Sequence, residues 1–183
     1  MTLVLASRSP ARRAILERLG VNFIVCPTDV EELEQGEPLA LARENALRKA
    51  TAVAPAPDQL VLGVDTIVAL DGVIYGKPQS ATDAAATLRA LSGKTHTVIS
   101  GVALLRAGAE PLTLTDSAAV SFRELDEPMI DWYLKSGEWQ GRSGGYAIQQ
   151  AGSALVRRIE GDYTNVVGLP VGALLDAWPG LIQ

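Results

Sequence analysis

The amino-acid sequence predicts an α/β fold organised around a mixed β-sheet, and three patterns support this prediction. Continuous apolar runs such as "TLVLA" and "QLVLGVDTIVAL" are typical of buried strands. Stretches with apolar residues at helical spacing, among them "ARRAILERLG" and "ARENALRKA", alternate with these runs. Two later runs, "THTVISGVALL" and "LTLTDSAAVSFREL", are joined by the turn "RAGAEP", which indicates antiparallel pairing. Helices interleaved with both kinds of strand predict a mixed sheet.

The first predicted elements are strand, helix, strand, helix and strand. After "TLVLA", Ser9 is a good N-cap, Pro10 suits the first helical position and Gly20 suits the end of the helix. The second strand is "VNFIVC", with Cys26 expected as a small buried residue at its end. The acidic loop "PTDVEELEQGEP" then leads into the helix "PLALARENALRKATAVA". The apolar face of this helix is predicted to comprise Leu39, Ala42, Ala46, Ala50 and Val53.

The remaining elements are predicted from turn and cap residues. Asp71 and Gly72 indicate a hairpin turn between "QLVLGVDTIVAL" and "VIYGKP". The helix "TDAAATLRALSG" is expected to be capped by Thr82 and closed by Gly93, and Asp126 is expected to cap "DEPMIDWYLKSG". A glycine-rich stretch, "GRSGGYAIQQAG", precedes the strand "SALVRRIEG" and a last helix within "VVGLPVGALLDAW".

The composition supports a folded core and narrows the class of ligand. Of the 183 residues, 48% are hydrophobic and 20% are charged, which is typical of a globular protein. The formal net charge of −5 argues against nucleic acid as a partner, because such binding needs a broad basic face. A local basic cluster can still bind a small anionic ligand.

Cysteine, histidine and hydropathy patterns predict a reduced, soluble protein. Cys26 is the only cysteine, so no internal disulfide can form, and His96, the only histidine, cannot build a His-rich metal site. No signal-peptide pattern opens the chain, and no apolar run approaches the ~20 residues of a membrane span. We therefore expect a cytoplasmic protein without a membrane partner, with residues 1–183 forming a single domain.

Hydroxyl and guanidinium groups gather where the first helix is predicted to begin. The stretch supplies Ser7, Arg8, Ser9, Arg12 and Arg13. The free N–H groups and the positive dipole end of a helix bind anions, and guanidinium groups suit phosphate oxygens. Simple capping is the alternative interpretation, since Ser-Pro is also an ordinary helix start.

A single carboxylate interrupts the predicted buried strand "VLGVDTIVAL". Burial of Asp65 costs free energy unless the group is paired, holds a metal or acts in catalysis. An internal hydrogen-bonded aspartate is the alternative. Glu31 and Glu32 are candidates for a second carboxylate around a cation such as Mg²⁺, or belong to a solvated acidic loop.

Three further polar residues are candidate ligand contacts. Lys77 in "YGKP" and Lys49 beside the apolar stripe of its helix could neutralise an anion, or could be surface lysines. Gln149 follows the glycines of "GGYAIQ". Its amide both donates and accepts, which suits the edge of a nucleobase, although an ordinary polar loop residue has the same appearance.

The stretch "SGKTH" contains the Gly-Lys-Thr of a phosphate-binding P-loop, but the rest of that motif is missing. The other required glycine would stand at the position of Leu88. The stretch also follows a predicted helix, whereas a P-loop follows a strand. We interpret Gly93 as the end of a helix and exclude an ATPase of that class.

Taken together, the segments resemble the Maf family of nucleoside triphosphate pyrophosphatases. The matching pieces are "LASRSPARRAILERLG", "ARENALRKA", "VLGVDTIVALDGVIYGKP", "LSGKTH", "GGYAIQ" and "IEGDYTNVVGLPV", in the family's order along nearly the whole chain. The resemblance implies an elongated mixed sheet with flanking helices, two lobes around a central cleft, and a homodimer. It also implies hydrolysis of a nucleoside triphosphate to the monophosphate and pyrophosphate, with a divalent metal, Mg²⁺ or Mn²⁺, as cofactor.

The resemblance implies roles for individual residues. Asp65 matches the family's catalytic carboxylate and would take the proton of the attacking water. Asp65 and Glu32 would hold the metal. The positions that match the family's phosphate- and metal-facing residues are Ser7, Ser9, Arg12, Glu32, Lys49 and Lys77.

The resemblance also bears on the base. Members that act on dTTP and UTP resemble this chain at Thr66 and Gln149, whereas those acting on methylated GTP usually carry Gln and Glu there. The dTTP/UTP group usually reads Ser-Pro-Arg-Arg, and its first arginine, a specificity position, is replaced here by Ala11. We therefore expect a measurable but reduced preference for dTTP and UTP, with Arg8 or Arg13 as a substitute cation.

Three alternatives remain open on the sequence alone. A nucleotide-dependent transferase could use the same phosphate site, and release of pyrophosphate with water as the only acceptor would exclude it. A nucleotide-binding regulatory module linked to cell division would hold a triphosphate without turnover. A pyrophosphatase for modified or other bases would share the reaction but differ in base preference.

Overall fold

The computed structural model describes residues 1–182. Its strands are β1 (Thr2–Leu5), β2 (Phe23–Val25), β3 (Gln59–Leu70), β4 (Val73–Tyr75), β5 (Thr95–Arg106), β6 (Leu112–Phe122) and β7 (Val156–Glu160). Its helices are α1 (Pro10–Arg18), α2 (Pro38–Thr51), α3 (Ala81–Leu91), α4 (Glu127–Lys135), α5 (Tyr163–Val167) and α6 (Val171–Ala177). Short 3₁₀ turns occupy Ser143–Gly145, Ala151–Leu155 and Pro179–Ile182.

Within residues 1–182, the strands form one seven-stranded mixed sheet, in the order β2-β1-β3-β5-β6-β7 with β4 paired to β3. The contacts β1–β2 and β1–β3 are parallel, and the remaining pairs are antiparallel. The predicted α/β class with a mixed sheet and flanking helices is therefore confirmed.

Helices α1 and α2 cover opposite faces of the parallel part of the sheet. Leu16 of α1 packs in a cluster with Leu5 of β1, whereas Ala46 of α2 packs in a cluster with Val4 of the same strand. Successive strand residues point to opposite faces, so the two helices lie on opposite sides. None of the helices in the described part of the chain is long and apolar enough to cross a membrane.

Two glycines allow α2 to lie directly on the sheet. A Cβ at Gly63 of β3 would collide with the carbonyl oxygen of Ala46, and a Cβ at Gly101 of β5 would collide with that of Ala42. These contacts are possible only without side chains on the strands. They fix the height and rotation of α2 above β3.

A gap along one edge of β3 separates the molecule into two lobes. Strand β1 pairs with β3 as far as Leu62, and β4 pairs with it only from Val68 onward. Among the described residues, the segment 63–67 has no strand neighbour on that edge. One apolar cluster, around Leu62, lies before this gap, and another, around Val68, lies after it. The gap is the central cleft that the resemblance implies.

Most predicted helix ends and turns are confirmed. The Ser9 side chain accepts the N–H of Arg12, and the Asp126 side chain accepts the N–H of Met129. Asp71 and Gly72 both have positive φ, 50° and 79°, as the predicted hairpin turn requires. Gly93, with φ of 66°, follows α3, so "SGKTH" is a helix end rather than a P-loop.

Three local predictions were wrong. Cys26 is exposed, because β2 is an edge strand whose neighbouring residue Val25 is itself 43% exposed. Helix α3 is capped by Ser80, whose hydroxyl accepts the N–H of Asp83, and not by Thr82, which lies inside the helix. Leu39, expected on the buried face of α2, is 44% exposed because it lies in the first turn, beyond the sheet.

Candidate active site

A cleft of about 500 Å³ opens beyond the carboxyl end of β1. Its lining comes from the β1–α1 turn, the loop after β2, helix α2, the gap segment of β3, and the glycine-rich stretch before β7. In doubly wound sheets, ligands bind at the carboxyl ends of strands where helices switch from one face to the other. Here α1 and α2 diverge at that point, so the fold places this cleft where ligands are expected.

The gap gives the cleft access to both faces of β3. Asp65 points to the α2 face together with Gly63, and Thr66 points to the opposite face, because strand side chains alternate. Both residues line the cleft. A continuous sheet would separate these two side chains by its full thickness.

A chain of ion pairs occupies the α2 side of the cleft. The Nζ atom of Lys49 lies 2.6 Å from Oδ1 of Asp65 and 2.8 Å from Oε1 of Glu32. Oε2 of the same glutamate accepts a 3.0 Å hydrogen bond from Nζ of Lys77. Asp65 and Lys49 are buried, with 5% and 8% of their surface exposed. Asp65, Lys49, Glu32 and Lys77, from four different segments, therefore form one continuous chain of ion pairs.

The two lysines keep Glu32 ionised. Burial by itself raises the pKa of this carboxyl, but the hydrogen bonds and positive charges of Lys49 and then Lys77 outweigh it and lower the pKa to about 2. Glu32 is therefore negatively charged throughout the physiological range.

Arg12 occupies the other side of the cleft, and its partners are neutral oxygens. Its Nη1 donates to Oγ of Ser7 at 2.9 Å, its Nη2 to Oγ1 of Thr66 at 3.0 Å, and its Nε to the carbonyl oxygen of Gly168 at 2.8 Å. The Thr66 hydroxyl lies 3.1 Å from the Ser100 hydroxyl. Helix α1 delivers the guanidinium to this position because it starts directly after β1 and buries the Arg12 side of its first turn.

The charge of Arg12 is not cancelled by a direct ion pair. Burial lowers the pKa of the guanidinium, and the charges of Asp65 and Glu32 only partly offset this effect. An arginine nevertheless stays protonated in proteins. A buried cation bound only by neutral oxygens favours an anionic ligand beside it.

The glycine-rich stretch forms the remaining wall. Oγ of Ser143 donates a 2.9 Å hydrogen bond to the carbonyl oxygen of Thr66, which satisfies one backbone group left open by the gap. The Tyr146 hydroxyl lies 2.8 Å from Nε2 of buried His96. Gln149 lines the cleft, is partly exposed, and makes no side-chain hydrogen bond within residues 1–182.

The structure brings together most of the residues singled out from the sequence. The members that line the cleft are Ser7, Ser9, Arg12, Glu32, Lys49, Asp65, Thr66, Lys77 and Gln149. Arg8, considered as a substitute cation, also lines it and lies 3.7 Å from the exposed carboxylate of Asp29.

Three other residues lie outside the cleft lining. Ala11 is buried, with 7% of its surface exposed, at the interface of α1 with its neighbours. Arg13 is exposed and pairs with Glu17 on α1 at 2.7 Å. Glu31 is exposed beside a shallow depression near Arg48. Helical rotation explains the contrast between Arg12 and Arg13, since adjacent helix residues point about 100° apart.

The sequence analysis did not single out three polar residues near the cleft. Asn45 of α2 is 2% exposed and donates to Oδ2 of Asp65 at 3.2 Å. Ser143 and Arg142 line the glycine-rich wall. A signal for Asn45 was available, because it stands four residues before Lys49 and so on the same helical face.

The two carboxylates suit a divalent cation that is shared with a substrate. Within residues 1–182, no group of three or more His, Cys, Asp or Glu side chains could hold a metal. Glu32 and Asp65, however, both contact the single ammonium of Lys49, so their oxygens converge on one point. Mg²⁺ is usually held by one or two carboxylates plus substrate phosphates, which this pair fits.

Comparison with known proteins shows which family the chain resembles over nearly its whole length. A sequence model for the family described as "Maf-like protein" matches residues 2–178. The chain is 47% identical over 173 residues to a dTTP/UTP pyrophosphatase from Moorella thermoacetica, which covers 92% of this chain and 89% of that protein. It is 40% identical over 177 residues to a dTTP/UTP pyrophosphatase from Thermosipho africanus, covering 96% and 91%.

A solved structure shares the fold at lower sequence similarity. A HAM1 protein from Coxiella burnetii has a TM-score of 0.50 and 20% identity, covering 85% of this chain and 91% of that chain. The similarity concerns the mixed sheet and its flanking helices.

Proposed function

Because the chain belongs to the Maf family, we propose that it is a nucleoside triphosphate pyrophosphatase. Water attacks the α-phosphorus, the bond between this phosphorus and the α–β bridging oxygen breaks, and the products are the nucleoside monophosphate and pyrophosphate. One observation carries the proposal most directly. Three buried charged residues, Arg12, Lys49 and Asp65, line one cleft at the end of β1 together with the half-buried carboxylate of Glu32.

The cations of the cleft neutralise the triphosphate. A triphosphate carries about four negative charges, which repel an incoming nucleophile unless they are compensated. Arg12 is already oriented by three hydrogen bonds and can offer its charge without rearrangement. Lys49 and Lys77 are engaged by Glu32 and Asp65, and they turn toward phosphate as the substrate enters.

Asp65 acts as the general base in this proposal. Its carboxylate takes a proton from the attacking water, whose oxygen then joins the α-phosphorus. In the free protein the carboxylate is held by Lys49 and Asn45, and the hydrogen bond from Asn45 keeps its orientation once Lys49 has turned toward phosphate. The alternation of β3 directs it toward α2 and into the gap.

Glu32 and Asp65 would hold the divalent cation that we propose as cofactor, Mg²⁺ or Mn²⁺. When bound, such a cation offsets phosphate charge and polarises a phosphoryl oxygen. Glu32 is suited to the role because it remains ionised at any physiological pH.

We propose dTTP and UTP as the preferred substrates, as the names of the relatives indicate for those proteins. The Gln149 amide is free of internal partners within residues 1–182 and can pair with a carbonyl and an N–H of a uracil or thymine edge. A site built around such a pair rejects bases that leave it unpaired. Thr66 does not offer a free group to the base, since its hydroxyl already contacts Arg12 and Ser100, and it helps to orient Arg12 instead.

A panel of nucleoside triphosphates tests the proposal. We expect pyrophosphate release in the presence of Mg²⁺ or Mn²⁺, with kcat/KM for dTTP and UTP above that for CTP and GTP. Gln149→Ala should narrow this difference by about tenfold while leaving thermal stability unchanged, because the amide makes no internal bond. Release of orthophosphate instead of pyrophosphate, or binding without turnover, would contradict the proposed reaction. A native preference for GTP would contradict the assignment of the base.

We further propose that the protein works as a homodimer in the cytoplasm, as the family resemblance implies. The edge strand β2 leaves Ile24 and Val25 exposed, 48% and 43% respectively. A second copy of the chain could bury these two apolar side chains. Light scattering at micromolar concentration should give twice the mass of the chain. A mass equal to one chain would contradict the dimer.

A further inference from the structure

Asn45 links the two carboxylates of the cleft. Its Oδ1 accepts the backbone N–H of Leu33 at 2.8 Å, and its Nδ2 donates to the carbonyl oxygen of Leu33 at 3.0 Å. The same Nδ2 also donates to Oδ2 of Asp65 at 3.2 Å. One side chain thus binds both backbone groups of the residue after Glu32 and the second oxygen of Asp65.

Side-chain ion pairs tie Glu32 to Lys49 and Lys77, but among the described residues only Asn45 forms hydrogen bonds with the backbone of residues 27–36. Residues 27–37 contain no helix or strand, and Leu33 itself is 38% exposed. The bonds from Asn45 imitate the two-fold pairing of neighbouring strands and hold the backbone next to Glu32. Helix α2 is in turn fixed on the sheet by its contacts with Gly63 and Gly101. The position of Glu32 relative to β3 therefore depends on Asn45.

We propose that Asn45 is a positioning residue that sets the separation of Glu32 and Asp65, and so enables the two carboxylates to share one divalent cation. This inference rests on the proposed function for its catalytic consequence. The hydrogen bonds by which Asn45 connects the loop at Leu33 with Asp65 in β3 can be tested without reference to the reaction.

The amide group is suited to this role because it both donates and accepts hydrogen bonds. A primary amide presents one acceptor and two N–H donors in a plane, so it can serve a backbone N–H, a backbone carbonyl and a carboxylate at once. An aspartate would repel Asp65, and a serine hydroxyl would have a single proton to donate. Partners of metal-binding carboxylates typically alter metal affinity by about 10- to 100-fold when removed.

A purely structural role for buried Asn45 is the competing explanation, and three measurements separate the two. The variants are Asn45→Leu, which keeps the branched shape without the polar atoms, and Asn45→Ala, which serves if the larger leucine prevents folding. Mn²⁺ binding is measured by titration calorimetry on protein saturated with a non-hydrolysable α,β-methylene analogue of UTP, because the cation is proposed to be shared with substrate phosphates. Hydrogen exchange of the Leu33 amide is measured by NMR, and kcat/KM is measured as a function of Mg²⁺ concentration.

Two control variants match the substitution. Glu44→Gln is adjacent in sequence and breaks only the surface pair with Arg48, at 3.1 Å. Val53→Ala removes buried methyl groups just beyond α2 and lowers stability without contacting either carboxylate. Both controls should keep the wild-type affinity for Mn²⁺ and the wild-type exchange rate of Leu33.

We expect both Asn45 variants to bind Mn²⁺ about 10- to 100-fold more weakly and to need correspondingly more Mg²⁺ for half-maximal turnover. The Leu33 amide should exchange at least about tenfold faster, since its acceptor is lost. Wild-type protein that binds no Mn²⁺, variants that bind it within twofold of the wild type, or unchanged exchange at Leu33 would each overturn the inference. A wild-type protein that binds Mn²⁺ but releases no pyrophosphate would instead refute the proposed function, and the binding and exchange data would still test Asn45.

Discussion

Lys49 and Arg12 are equally buried cations on opposite sides of one strand, but their surroundings differ. Each has 8% of its surface exposed, and each contacts one of two consecutive residues of β3, Asp65 for Lys49 and Thr66 for Arg12. Lys49 is held by two carboxylates. Arg12 is held by two hydroxyls and one backbone carbonyl.

This difference separates two ways of preparing a site for an anion. The Arg12 side is preorganised, because its charge is available before a ligand arrives and its orientation costs nothing further on binding. The Lys49 side is self-neutralised, which lowers the cost of burying the charges of Lys49 and Asp65 in the free protein. A ligand must exchange those ion pairs for its own. The first side should therefore contribute to both initial binding and the chemical step, and the second mainly to the chemical step.

Removal of the charge at Asp65 should have the largest effect on activity. Asp65→Asn keeps the size of the side chain but removes the proton acceptor, so we expect kcat to fall by at least about 100-fold. Circular dichroism and thermal unfolding should confirm that the variant is folded. Turnover within about tenfold of the wild type, equivalent to ~1.4 kcal/mol of barrier, would show that Asp65 is not the base.

Truncation of Arg12 should affect both stability and activity. Arg12→Ala removes one hydrogen-bond donor from the Gly168 carbonyl and from the hydroxyls of Ser7 and Thr66, and we expect a loss of about 2 kcal/mol in the free energy of unfolding. The kcat should fall together with a rise in KM. Arg12→Lys retains the charge without the planar fork, so only partial recovery is expected. Full recovery by lysine would contradict the importance of the three-point hydrogen bonding.

Truncation of Lys77 should separate activity from stability. Its side chain is 46% exposed, and exposed ion pairs contribute little, so Lys77→Ala should change the free energy of unfolding by less than about 0.5 kcal/mol. We expect kcat/KM to fall by about tenfold, with part of the loss in kcat, because the lysine acts on charge that develops during the reaction. An effect confined to KM would make Lys77 a docking residue only.

The prediction with the smallest expected effect on activity concerns the pH dependence of stability, and it involves neither cation. Burial lowers the pKa of His96 to about 4 from its usual 6.5, so the unfolded chain binds a proton in this range and the folded chain does not. Stability should therefore fall as pH decreases from 6.5 toward 4, by at most about 1.4 kcal/mol per pH unit, and level off below. Glu32 remains ionised over this interval.

Denaturant unfolding at several pH values measures this slope. In His96→Gln the free energy of unfolding should change less between pH 6.5 and 4. The relative activities of Arg12→Ala and Lys77→Ala should be the same with or without this substitution. If the free energy of unfolding of His96→Gln depends on pH as steeply as that of the wild type, the pH dependence arises from other groups, and the charged groups of the cleft become the first candidates.

Local patterns in the sequence predicted the elements well, because caps, turns and apolar periodicity act within a few residues. Ser9, Asp126 and the turn at Asp71 follow directly from such rules. The exposure of Cys26 could not be predicted in this way, since it depends on β2 lying at the sheet edge. Strand order is a property of the whole chain.

The site was predictable in its membership but not in its geometry. The resemblance identified Asp65, Lys49 and Glu32, yet no pattern indicated that the lysine bridges the two carboxylates. Which of Arg12 and Arg13 points into the cleft depends on how α1 is rotated about its axis, and this rotation is set by the packing of α1 against the sheet, which the sequence does not give. The spacing of Asn45 from Lys49 places it on the same face of α2, but its bonds to Leu33 and Asp65 depend on how the loop and β3 pack against that face, which no local pattern indicates.

The continuity of the central strands has a consequence for motion. Strands β3 and β5 pair without interruption from Leu60 to Ala69, across the position of the gap, and β6 extends the same ladder. Domain closure needs a few hinge residues that absorb changes in φ and ψ, and a fully hydrogen-bonded ladder offers none. The two lobes therefore have no hinge within this ladder, and we expect the entry of ligand and the release of product to depend on the segments 27–37 and 140–149, which line the cleft outside the ladder.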